Sequence, residues 1–126
     1  MDEVPILIRP RVLSVSCDHR LLAARHRLLE RAGFDVTSVG TTFGALDLLE
    51  NHEFSAVVVG HSFSFTEKQL FAADVSDRWR IPVLVLRAGD EDFEWAGDAD
   101  LEITEGAAAL VASLKSLIAA RTKRSA

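Results

Sequence analysis

The sequence predicts a doubly wound α/β domain, and three observations carry that reading. Short runs of β-branched and aliphatic residues alternate along the chain with stretches whose apolar residues recur at helical spacing. One of those runs, residues 56–59, is apolar at every position, the pattern of a strand covered on both faces of a parallel sheet. The strand-like runs number five, and right-handed crossovers between them give a five-stranded parallel sheet. The economical order is 2-1-3-4-5, the flavodoxin-like arrangement.

Each element has its own local signal. Residues 11–16 read as the first strand, and Asp18 then offers a side-chain acceptor to cap a helix. In that helix Leu21, Leu22, Leu28, Leu29 and Ala32 share one face, and Gly33, free to adopt positive φ, stops it. The second strand covers residues 36–39 and ends at Gly40. Thr42 is the expected cap of a second helix bearing Ala45, Leu46, Leu48 and Leu49. After the third strand, Ser64 and Glu67 match a capping box, in which each side chain satisfies an orphan N–H, for a helix running to about Trp79.

Residues 81–86 form the fourth predicted strand, with Pro82 tolerable near its start. Residues 89–100 carry the weakest pattern; a short helix fits around Phe93 and Trp95. A fifth strand is expected over residues 101–104. The last helix runs from Ala107 to about Thr122, with Leu110, Val111, Leu114, Leu117 and Ile118 on one stripe. The division is therefore an extension over residues 1–10, a domain over 11–122 and a basic tail over 123–126.

Composition narrows the function. The 126 residues suit one domain, and a hydrophobic fraction of 48% gives it a core without metal or disulfide support. A net charge of −5 argues against general nucleic-acid binding, which needs a basic face. The single cysteine, Cys17, has no internal disulfide partner, which fits a reducing compartment. No secretory signal and no apolar stretch of ~20 residues is present, so the expectation is a cytoplasmic protein without a membrane span.

In a sheet of this kind polar groups converge where the strand order reverses, beyond the carboxyl ends of the first and third strands. There the sequence places Ser16, Cys17, Asp18 and His19 against Gly60, His61 and Ser62, with Arg87 and Glu105 from the neighbouring strand ends. Gly60, Ser62 and Ser64 stand near the nucleophile-elbow pattern, but Ser64 replaces its last glycine and no histidine follows His61. Cys17, His19 and His61 lack the local spacing that fixes two zinc ligands. Trp95 stands where a calcium loop through the acidic run needs glycine. Gly40 and Gly44 are not a dinucleotide fingerprint, and no phosphate-binding loop motif occurs. No catalytic residue, metal or cofactor is assigned.

The framework itself resembles the receiver domains of bacterial response regulators. Residues 11–15, 28–34, 54–59, 81–86 and 99–103 follow that family's pattern, so the resemblance spans nearly the whole chain. The family holds Mg²⁺ with an acidic pair after the first strand; Ser16 and Cys17 stand there, with Asp18 one place beyond. Its phosphoryl-accepting aspartate is matched by Gly60, its Ser/Thr by Arg87, its phosphate-gripping lysine by Glu105, and its aromatic switch position by Glu102.

The resemblance thus implies a pseudo-receiver: a CheY-like scaffold in a two-component or phosphorelay-type system that signals by binding without aspartyl phosphorylation. Arg87 and Glu105 are expected to bridge in place of the phosphate contact. No output domain lies within these residues, so the expected partner is a signalling protein, a sensor kinase or another regulator. The docking surface expected from acid beside aromatics is Asp90, Glu91, Asp92, Phe93, Glu94 and Trp95 with Glu102. Pairing of that acidic loop with the basic tail offers a head-to-tail homodimer. The alternative function is a small-ligand or metal sensor using the cleft beside Cys17 and His61.

Overall fold

The computed structural model describes residues 9–88 and 99–125. Among the described residues the elements run β1 Arg11–Val15, α1 His19–Arg31, β2 Asp35–Val39, α2 Thr42–Asn51, β3 Ala56–Val59, α3 Phe65–Trp79, β4 Val83–Arg87, β5 Ala99–Glu102 and α4 Ala107–Ser125, strands and helices alternating as far as β4. A 3₁₀ turn, Ile103–Glu105, joins β5 to α4. The strands pair in parallel in the order β2-β1-β3-β4-β5. That is the doubly wound fold the alternation predicts.

Strand pleating sorts the core into two layers. Leu13, Val15, Val57, Val59, Val83 and Val85 face α2 and α3, where Ala45, Leu49, Phe71, Ala72 and Val75 close over them. Val12, Ala56, Val58, Leu84, Leu86 and Leu101 face α1 and α4, meeting Leu29, Leu110 and Leu114. All four residues of β3 are fully buried, because the sheet is covered on both sides there. The helix covers are amphipathic in turn, so burial rather than propensity holds them.

The helix ends account for several boundaries. Asp18 Oδ1 accepts from the amides of Arg20 (3.0 Å) and Leu21 (3.2 Å), capping α1 as its position suggests. Gly33, at φ +101°, takes the left-handed conformation that ends that helix. The cap of α2 is Thr41 rather than Thr42: Thr41 is extended and its Oγ1 accepts from Gly44 N at 2.9 Å, while Thr42 already lies in the helix. Half of the expected capping box forms at α3. Ser64 Oγ accepts from Glu67 N at 3.1 Å, but the Glu67 carboxylate accepts instead from Thr42 Oγ1 at 2.9 Å and so ties α3 to α2.

Two expectations are corrected at the end of the chain. The fifth strand lies earlier than residues 101–104, because register with β4 starts at the pair Leu84–Ala99 and Leu101 lies beside Leu86. The chain turns into the 3₁₀ segment at Ile103. α4 runs past its expected end near Thr122 and continues through Ser125. The short helix expected around Phe93 and Trp95 lies outside the described residues. Among the described residues no helix is long and apolar enough to cross a membrane.

Candidate functional site at the carboxyl ends of the strands

The switch point between β1 and β3 is built from the residues that leave those strands. Ser16 is fully buried, and its amide donates to Val39 O at 3.1 Å, extending the β1–β2 ladder by one bond. Its Oγ accepts from Asp18 N at 3.2 Å and donates to Asp18 O at 3.5 Å, which fixes the turn into α1. Across from it Gly60 is buried, with its amide donating to Val15 O at 2.8 Å. A Cβ on Gly60 would lie 3.0 Å from Ser16 Oγ, 3.1 Å from Ser16 Cβ and 3.2 Å from Val15 O. The two loops are therefore packed against each other at van der Waals limits.

The other expected residues surround this contact without joining it in one cluster. Cys17 is an exposed free thiol, and His19 opens α1. Both capping bonds of Asp18 fall on one oxygen of its carboxylate, Oδ1. His61 is half-buried, and its Nδ1 is buried with no hydrogen-bond partner among the described residues. Ser62 is exposed, while Phe63 beside it is buried in the layer under α2 and α3. Among the described residues no three His, Cys, Asp or Glu side chains gather as a metal-binding group.

At the far side of the crevice Arg87 ends β4. Its Nε donates to Asp100 Oδ2 on β5 at 2.5 Å. Among the described residues Arg87 thus pairs with Asp100, whereas the sequence pointed to Glu105. Glu105 closes the 3₁₀ turn and is exposed. Glu102 ends β5. Asp90, Glu91, Asp92, Phe93, Glu94 and Trp95 lie outside the described residues.

With this geometry in view, solved structures supply the comparison. The signal receiver domain of an HD domain-containing protein from Pseudomonas fluorescens superposes with a TM-score of 0.81 at 16% identity, over 98% of this chain and 97% of that one. A CheY-like response regulator receiver domain protein from Methanospirillum hungatei gives 0.79 at 18%, over 93% and 99%. The fold is the receiver fold. A sensor protein from Polaromonas gives 0.76 at 22% identity, over 88% of this chain and 97% of that one. No protein-family model and no curated protein matches the sequence.

Within this receiver fold the structure adds two charged residues that sequence reading passed over. Lys68 is fully buried, and its Nζ donates to Leu86 O at 3.3 Å, which brings an ammonium to the carboxyl end of β4 from α3. Its signal was present: Lys68 stands at helical spacing from Phe71, Ala72 and Val75, on the stripe that faces the sheet. Arg25 of α1 is the second. Burial lowers its pKa, an effect that nearby Asp18 offsets only in part. Among the described residues, two of the cavities on the surface stand out, and neither is lined by Cys17 or His61. The larger, about 690 Å³, lies at the opposite end of the sheet among Arg9, Arg11, Phe54, Trp79 and Arg121. The smaller lies between α1 and α4 and includes Arg25.

Proposed function

We propose that this chain is a receiver-like signalling module that acts by binding another protein, without phosphorylation of an aspartate. The observation that carries this reading is the contact of Ser16 with Gly60. Phosphoryl transfer to a carboxylate requires the carboxylate, a cation that neutralises developing charge, and a basic group to hold the phosphoryl oxygens. Gly60 supplies no carboxylate, and even a methyl group there would stand 3.0 Å from the Ser16 hydroxyl. The residue at the end of the fifth-strand turn is Glu105, an anion where the chemistry asks for a cation.

The magnesium ion used by receivers does not fit the donors gathered here. Magnesium takes carboxylate oxygens in near-octahedral geometry. The candidates are a buried hydroxyl that closes a turn, an exposed thiol, and a carboxylate whose Oδ1 already accepts two amide hydrogens of α1.

A receiver scaffold without that chemistry keeps its surfaces. Its partner is a signalling protein, a sensor kinase or another regulator, met through the acidic run 90–94, Trp95 and the strand end at Glu102. Complementary charge on the partner sets encounter rate and specificity. Affinity capture from source-cell lysate tests this, with wild type beside a variant carrying Asp90→Lys, Glu91→Lys and Asp92→Lys. The expected result is a sensor kinase or regulator held by wild type and lost by the variant. Equal retention by both baits removes the acidic run from the interface, and retention of no signalling protein contradicts the reading.

A further inference from the structure

We propose that the cleft between α1 and α4 binds a short-chain aliphatic carboxylate, with the carboxylate on Arg25 and the chain against leucine side chains. The inference stands apart from the signalling role above, since it rests on other residues.

The cleft is small and oily. It holds about 220 Å³ and is walled by Leu21 and Leu28 of α1, Leu86 of β4, Leu101 of β5 and Leu110 of α4. That is below the roughly 300–1,000 Å³ of drug-sized sites, and suits a ligand with a handful of carbons. Ile103, at the junction of strand and 3₁₀ turn, is 38% exposed and lines the same cleft. An apolar side chain of that size left in water gains from any apolar ligand that covers it.

One polar group interrupts these walls. Arg25 Nη1 is buried and has no hydrogen-bond partner among the described residues. A guanidinium carries five donors and stays protonated, so a buried unmet N–H is a standing cost unless an acceptor arrives. The nearby anion, Asp18, already gives its Oδ1 to the amides of Arg20 and Leu21. An incoming carboxylate would meet the guanidinium in two parallel bonds, the geometry that suits this pair best.

The same features set the ligand's charge and length. Among the described residues of the lining Arg25 is the one charged group, which favours a monoanion over a dianion. A phosphate dianion needs further donors, which leucine and alanine side chains lack. A tail is required because most of the wall is apolar, and a carboxylate without one leaves it wet.

Hexanoate is the probe that tests the site on the full chain. Titration followed by methyl and amide NMR is expected to show saturable shifts at Leu28, Leu101 and Leu110. Acetate and hexan-1-ol should bind at least tenfold more weakly than hexanoate, since each lacks one half of the match. Arg25→Met, checked for folding by its unfolding curve, should weaken hexanoate at least tenfold while leaving hexanol unchanged. Absence of saturable hexanoate binding to wild type overturns the proposal, as do shifts confined to other residues. Equal affinity for hexanol, or undiminished hexanoate binding by R25M, overturns the role of Arg25.

Discussion

Ser16 and Gly60 touch across the switch point of the sheet, with Ser16 Oγ 3.0 Å from where a Cβ on Gly60 would stand. This contact occupies the place where a side chain from the third strand would enter the crevice. Gly60→Ala is expected to cost about 1–3 kcal/mol, the range for overpacking a filled interior. Adding Ser16→Gly should recover part of that loss. The remainder belongs to Val15 O, a backbone atom 3.2 Å from the new methyl that cannot rotate away. Urea unfolding of both singles and the double, read as a double-mutant cycle, measures the coupling.

The buried Lys68 should reveal itself by the shape of its replacement. Lys68→Ala removes a long side chain from under α3 and leaves a cavity, at a cost of about 2–5 kcal/mol. Lys68→Met keeps the volume and loses the bond from Nζ to Leu86 O, and should cost clearly less. Chemical unfolding of the two variants checks the order; a methionine variant as unstable as the alanine one would mean that charge, not volume, dominates there.

The assignment of Thr41 as the cap of α2 separates two neighbouring threonines. Thr41→Ala loses the bond to Gly44 N and should destabilise by about 1 kcal/mol. Thr42→Ala loses an exposed bond to Glu67 and should stay within about 0.5 kcal/mol of wild type. Thermal unfolding that reverses this order would move the cap.

The Arg87–Asp100 pair is partly exposed, with side chains at 26% and 40% accessibility. Asp100→Asn is therefore expected to cost less than about 1 kcal/mol, and the difference from wild type should shrink as salt rises. Unfolding at low and high ionic strength checks both points.

The fold was legible because its signals are local. The run Ala56–Val59 shows burial on both faces by composition alone, and Asp18, Gly33 and Ser64 mark helix ends through their own chemistry. β5 was misplaced because Leu101 and Ile103 alternate like a strand, while its true start is set by pairing with Leu84 on β4. Thr41 and Thr42 are chemically identical, so only backbone geometry tells which one caps. The site was legible as a set of positions but not as contacts. That Arg87 meets Asp100, and that Arg25 lines a cleft completed by α4, depends on packing between segments far apart in the chain. Lys68 stood in plain sight on an apolar stripe, where a lysine reads as an exception and not as a core residue.

The most direct test of signalling without aspartyl phosphorylation is incubation of the purified chain with acetyl phosphate and Mg²⁺, followed by intact-mass measurement. An unchanged mass is the predicted result, because Gly60 offers no acceptor and Ser16 fills the space beside it. A phosphoryl adduct that hydroxylamine removes, the behaviour of an acyl phosphate, would contradict it and place a working acceptor carboxylate in this chain.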